Sequence, residues 1–476
     1  MHTEGGHMTA RFASWLAMLS VIAACGGGDG APATSIGATS VAPPSSTTPA
    51  TPPVETPTTG VPATTVAAEP LEAGLDWVRI AYDDGVFEDA ALSDVTAFGT
   101  GWVAVGVTGD EGALGVWTSE DGVAWSTADA EAFTGSMEHL RMVGELPQCS
   151  VRSYLRPDGS YPGPTVATDG ELLVLGCGEG IWTSSDGAGW IRATVQAPDY
   201  YLPFDVSRTE AITLKYLTMA DVSVGPSGWV AVGWGQYGRA SASTSHTATV
   251  WVSADGLSWE IPTSNKADFW SGDWYQAEVD AVVAAGGQWI AAGGVRTGVD
   301  EGNMTVWASA DGRTYTTLGD PALGTVLEPK QQGILGLIAT PSGLVAVGWD
   351  SEASYLAEQT GSRDLGGHAA VWTSPDGAAW TRHDADAEAF VGEGYELATD
   401  IAAGGPGLVA VGAGFLEFDR WGIVWASGDG SSWTRVPLDR LDNLRPLAAV
   451  AAGPAGLVAV GGAGVWVSGD FPIADR

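Results

Sequence analysis

Trp234, Tyr237, Arg239, Arg296, Trp349, Arg363, Arg420 and Trp421 fall on irregular stretches of a chain that is otherwise strongly patterned. Aromatic faces beside guanidinium groups suit recognition of a sugar, a peptide or a protein surface. The same rings equally serve to pack long loops onto a scaffold, and both roles stay open for each residue. Catalytic chemistry has less support. His139, His246, His368 and His383 are scattered without metal-ligand spacing. No Gly-x-Ser-x-Gly elbow and no phosphate loop occurs. Asp83-Asp84, Asp110-Glu111 and Asp300-Glu301 are the available calcium ligands, but none has the spacing of a calcium loop. No cofactor is expected.

The elements that must position these residues come from a repeated phrase. Its clearest copy runs Val371-Trp372-Thr373-Ser374-Pro375-Asp376-Gly377-Ala378-Ala379-Trp380. The phrase recurs from Val116, Ile181, Val250, Val306 (with Tyr315 in place of the last Trp) and Val424, and a truncated copy starts at Val465. Val or Ile with Trp reads as a short strand, and Asp-Gly supplies the positive φ of a tight turn. The Ser and Asp side chains can bond nearby amides and close that turn. Asp121, Asp186, Asp255, Asp311, Asp376, Asp429 and Asp470 therefore read as structural turn residues.

A second phrase precedes the first, as in Gly101-Trp102-Val103-Ala104-Val105-Gly106 and Gly343-Leu344-Val345-Ala346-Val347-Gly348. Glu171 to Gly176 and Gln288 to Gly293 are looser versions. Short Ala/Val strands such as Asp94 to Phe98 come before these. Each unit thus holds four strands, A to D from the inside outwards. Repetition of this kind predicts an all-β, seven-bladed β-propeller of four-stranded blades. The last unit lacks strand D, and Trp77-Val78-Arg79-Ile80 matches Trp433-Thr434-Arg435-Val436. The N-terminal strand is expected to complete the last blade and close the ring.

The Ser-x-Asp-Gly-x-x-Trp pattern at Ser119, Asp121, Gly122 and Trp125, and in later copies, resembles the Asp-box repeat of bacterial neuraminidases. It is one residue shorter between Asp and Trp than that family's pattern and lacks the Thr before Trp. The resemblance covers about residues 75–471 and implies a propeller, found in sialidases, other hydrolases and non-enzymes alike. A sialidase requires an Arg triad, a Tyr–Glu pair and an Asp acid. Arg79 is the tempting first arginine, yet it shares its Trp-x-Arg position with Arg192, Arg382 and Arg435. That places it on an outer strand.

Within a blade the A–B and C–D turns share one face. These turns are short and alike. The irregular lengths, such as 234–249, 349–370 and 413–423, lie in B–C and D–A connections on the other face. Binding chemistry concentrates on such loops, so that face is the expected site.

Upstream, residues 1–25 read as a secretory signal, with an apolar stretch from Phe12 to Ala24 and Cys25 in a lipobox-like Ile22-Ala23-Ala24-Cys25. The start lies at Met1 or Met8. Cys25 is the expected lipidation site and the only link to a membrane. Residues 26–70 are rich in Pro, Thr, Ala and Ser, and form a tether reaching on the order of 100 Å if mostly polyproline-like. Residues 71–476 form the propeller. An exported chain with Cys149 and Cys177 is expected to pair them, buried free thiols being the alternative. Lys plus Arg number 20 against 57 Asp plus Glu, net −37, which disfavours nucleic acid as a partner. The phrases resemble those of actinobacterial surface proteins. The expectation is a monomeric, exported binding or scaffold module, lipid-anchored outside the cell membrane, whose partner is an envelope protein or glycan. A sialidase-like or other glycoside hydrolase is the alternative.

Overall fold

The structure, a computed structural model, describes residues 75–472 except for 129–132, 134–162, 197–212, 239–244, 263–268, 270–275, 297–301, 319–330, 352–366, 384–386, 437–445 and a few single or paired positions. Cys25, Cys149, Arg239, Arg363 and the acidic pairs at 83–84, 110–111 and 300–301 lie outside the described residues.

Seven antiparallel sheets form seven blades. Their innermost strands touch in cyclic order, blade 7 meeting blade 1, so the chain is a closed seven-bladed β-propeller. The ring closes as the sequence predicts. Strand β1 (Val78–Tyr82) pairs with the last strand, Gly464–Gly469, and supplies the missing fourth strand of blade 7. Arg79 lies opposite Trp466 there, just as Arg435 lies opposite Trp425 in blade 6. The outer-strand reading of Arg79 follows directly. Blade 3 gains a fifth strand, because Thr194–Gln196 leaves blade 2 and adds in parallel to Ser258–Glu260.

The core is divided by blade interface. Seven apolar clusters occupy the seven interfaces. Strand B is covered on both faces, which is why it reads as an uninterrupted apolar run. Val103 faces blade 2 while Ala104 faces blade 7. The strand C tryptophans Trp117, Trp251, Trp307, Trp372, Trp425 and Trp466 are fully buried, with Trp182 close behind. In four blades a phenylalanine from the incoming D–A segment wedges against this ring and the next aromatic of the phrase. Phe87 meets Trp117 and Trp125, Phe133 meets Trp182 and Trp190, Phe269 meets Trp307 and Tyr315, and Phe390 meets Trp425 and Trp433.

The Asp-Gly turns share one geometry in six blades. In each, two following amides donate to the Asp Oδ1 at 2.7–3.1 Å. The Ser Oγ accepts the Gly N–H at 2.8–2.9 Å in blades 1, 2, 3, 5 and 6. In these same blades the closing Trp donates its indole N–H to that Gly carbonyl. The truncated seventh copy differs: Ser468 Oγ is buried without a hydrogen-bond partner.

Blade 2 departs from the expected alignment by one residue. Leu173 pairs with Ser184 as Trp102 pairs with Ser119, so Cys177, not Gly176, stands where the other blades have the closing Gly. Cys177 is buried and disulfide-bonded.

Candidate functional site

The glycine that ends the strand B phrase shapes the centre of the ring. A Cβ at Gly106 would meet the Ala91 carbonyl at 2.3 Å, and one at Gly412 the Leu397 carbonyl at 2.0 Å. In five blades strand A carries a β-bulge at that level. The bulge recurs in blades 1, 3, 4, 5 and 6, between Leu92 and Asp94, Met219 and Asp221, Val279 and Ala281, Ile334 and Gly336, and Ala398 and Asp400. A bulge re-aims the residues beside it. Here the bulged residue, Ser93, Ala220, Asp280, Leu335 or Thr399, lines the axis in each case.

The axis encloses a cavity of about 400 Å³. Asp94, Asp221, Asp280 and Asp400 line it, together with Ser93, Thr165 and Thr399. Asp94, Asp221 and Asp400 occupy one equivalent position after the bulge and tie neighbouring blades together. Asp94 Oδ2 accepts the Val166 N–H at 2.8 Å and the Thr165 hydroxyl at 3.0 Å. Asp221 Oδ2 accepts the Val282 N–H and Asp400 Oδ2 the Val450 N–H, both at 2.8 Å. The preceding hydroxyls add to this: Ser93 Oγ donates to the Pro164 carbonyl at 2.6 Å and Thr399 Oγ1 to the Leu447 carbonyl at 3.0 Å. Burial pushes all three carboxyls up, Asp94 to about 6, Asp400 to about 7 and Asp221 to about 8. Amide hydrogen bonds oppose the rise, and Asp94 and Asp400 add charge repulsion to it at Asp221. Among the described residues no three His, Cys, Asp or Glu converge as metal ligands.

One sector of the cavity carries an aromatic ladder. Trp349 of blade 5 packs on Tyr395 of blade 6 with centroids 6.1 Å apart, and Tyr395 on Phe415 at 6.2 Å. The Arg420 guanidinium lies over Phe415 at 5.5 Å. Phe415 and Arg420 both line the cavity, and Arg420 is its one basic lining residue among the described residues. In the same two blades, Glu396 is fully buried and binds Arg435 through both oxygens, while Arg382 meets Asp350 at 2.8 Å.

The predicted recognition residues are thus only partly gathered. Trp349, Arg420 and Trp421 sit in this sector. Trp421 lies in strand C, its ring packed where a Gly414 side chain would be. Arg420 is exposed, whereas Trp349 is 7% and Trp234 2% exposed, both inside strands that run further than the repeat phrase implies. Tyr237 lies in that same extended strand B of blade 3, opposite Leu214 and Ser245, and Arg296 ends strand B of blade 4. The axial acids were not singled out by sequence reasoning. Their signal was there: Leu92-Ser93-Asp94-Val95, Met219-Ala220-Asp221-Val222 and Ala398-Thr399-Asp400-Ile401 share the pattern apolar, small, Asp, β-branched, each within a strand A.

No protein-family model matches the sequence, and no curated protein matches it either. Solved structures with a similar arrangement include the WD40 β-propeller domain of Doa1, at 13% identity, covering 83% of this chain and 98% of that one with a TM-score of 0.42. Trypanosoma rangeli sialidase in complex with sialic acid is similar at 12% identity over 75% of this chain and 59% of its own, TM-score 0.40. A glycoside hydrolase of the GH130 family, which targets β-1,2 mannosidic linkages in Candida mannan, follows at 12% identity, 56% and 87% coverage and TM-score 0.34. At these identities the likeness is one of fold.

Proposed function

We propose that the chain is an exported binding module that takes a protein or glycan of the cell envelope on the face where strand B ends and strand C begins. The observation that carries this reading is the contrast between the two faces. On one, six blades repeat the same Ser/Asp turn. On the other, the ladder Trp349–Tyr395–Phe415–Arg420 ends in an exposed guanidinium at a polar cavity. An aromatic shelf with one adaptable cation suits a sugar ring or a partner side chain, and needs no cofactor. The axial acids act as inter-blade ties in this reading. The module works as a monomer, held outside the membrane by a lipid on Cys25 and the 26–70 tether, with Cys149 and Cys177 paired. A thermal-shift panel of sialic acid, other sugars, cell-wall fragments and calcium on residues 71–476 tests the site. A shift lost in Arg420→Ala supports it, and a shift indifferent to Arg420 and Phe415 refutes the placement. Palmitate incorporation dependent on Cys25 tests the anchor.

A sialidase-like or other glycosidase is the second reading. It is favoured by one observation: Asp221 and Asp400 line the central cavity, where burial raises both carboxyls above the ordinary Asp value, as a glycoside general acid requires. Hydrolysis of fluorogenic sialosides or related glycosides, abolished in Asp221→Asn or Asp400→Asn, would establish it. No turnover of any of them leaves the binding reading.

A further inference from the structure

The three axial carboxyls sit at one level of the ring, each on the inner strand of one blade and bonded to the inner strand of the next. Together they join blade 1 to 2, blade 3 to 4 and blade 6 to 7. All three face one cavity and repel one another, Asp221 responding to both Asp94 and Asp400, and Asp400 to Asp94. The other charged groups around that cavity are few. Blade 4 contributes Asp280, and Arg420 enters at the rim from strand C of blade 6. The described lining of blades 2, 5 and 7 adds no titratable side chain.

We propose that this ring is a pH-responsive lock on the propeller axis: with Asp94, Asp221 and Asp400 neutral the inner strands close on the cavity, and with all three ionised their repulsion and hydration loosen the three tied junctions. Geometry drives the effect. Three like charges lining one small cavity cannot separate, and Arg420 is the one cation among its described lining residues. The direction follows from linkage. These groups hold protons in the folded ring at pH values where the unfolded chain has released them. Stability is therefore lost as pH rises from the ordinary Asp range through the folded values, the reverse of an ion-paired carboxylate. A ring that is tight in mild acid and looser in mild alkali would open or close its axial cavity with the pH outside the membrane.

The test is thermal unfolding of the whole chain from about pH 6 to about pH 9. Wild type is compared with Asp94→Asn, Asp221→Asn, Asp400→Asn and the triple variant, since Asn imitates the neutral acid. Glu120→Gln, an exposed change on the turn face, controls for net charge. The melting temperature of wild type and of Glu120→Gln is expected to fall across the range, and the fall to shrink by at least half in the triple variant. A triple variant that falls in parallel with wild type overturns the proposal. Should the triple variant not fold, infrared spectra of wild type decide. A protonated-carboxyl band at about pH 6 that fades by about pH 9 supports the lock, and its absence at about pH 6 overturns it.

Discussion

Asp400 in blade 6 accepts the backbone N–H of Val450 in blade 7 at 2.8 Å, while its other oxygen accepts the N–H of Ile401 at 2.7 Å. One carboxyl thus satisfies amides of two inner strands that share no sheet. Replacing it by Ala orphans both donors beside the axis. Asp400→Ala is expected to cost about 1–3 kcal/mol in urea unfolding, and Asp400→Asn clearly less, because the amide oxygen keeps one acceptor. Equal losses for the two would show that the acceptor is not what matters.

Ring closure rests on Trp77 and β1. Trp77 is 6% exposed and packs in the cluster between blades 6 and 7 with Val450 and Trp466. Trp77→Ala is expected to cost about 3–5 kcal/mol, and removal of residues 75–82 to leave a chain that does not melt cooperatively. Calorimetry checks both. An unchanged melting temperature after the deletion would contradict the closure.

The phenylalanine wedges fix the irregular D–A segments to the regular blades. Phe390 is 4% exposed, stacks on Trp425 at 5.5 Å and follows Ala389, whose carbonyl accepts the Trp425 indole N–H at 2.6 Å. Phe390→Ala should cost about 3–5 kcal/mol, while Phe390→Leu, which keeps most of the volume, should cost less than about 1.5. Urea unfolding of the two variants measures the difference.

The turn carboxylates titrate the other way from the axial ones. Backbone amides hold Asp186 and Asp255 below the ordinary Asp value, Gly189 N–H chief among them for the first and Ser258 N–H for the second. Their contribution is present above the unfolded Asp value of about 4 and is lost as pH falls through the lower folded value. Each turn is solvent-exposed, so Asp255→Ala should cost only about 0.5–1 kcal/mol near neutral pH, and nothing once acid has protonated the wild type. Parallel melts at neutral and acidic pH show whether the difference closes.

Much of the fold was legible because the chain repeats itself. The Trp-x-Ser-x-Asp-Gly phrase marks strand C, turn and strand D by residue type alone, and the detached Trp77-Val78-Arg79 fragment betrays ring closure. Blade 2 was misaligned by one residue because Gly176 looks like the closing Gly, whereas strand pairing gives that place to Cys177. The site was less legible. Trp234 and Trp349 look like loop residues after a Gly, yet strand B continues through both and both rings are buried. Arg420 reads as a B–C loop residue but lies in strand C, and its platform joins Phe415 of strand B to its cross-strand partner Tyr395 of strand A. The axial acids escaped notice because a short Ala/Val strand with one Asp resembles any edge strand, and their meaning lies in the neighbouring blade.

The most direct test of the binding-face reading is an affinity measurement on the whole propeller with purified envelope proteins and cell-wall glycan fragments as ligands. Wild type is compared with Arg420→Ala, Phe415→Ala and the turn-face variant Glu120→Ala. Loss of at least about tenfold in affinity in the first two, with Glu120→Ala unchanged, is the predicted result, since an anchor residue is worth more than about 1.4 kcal/mol. Binding that survives Arg420→Ala and Phe415→Ala, or that fails in Glu120→Ala instead, would contradict it.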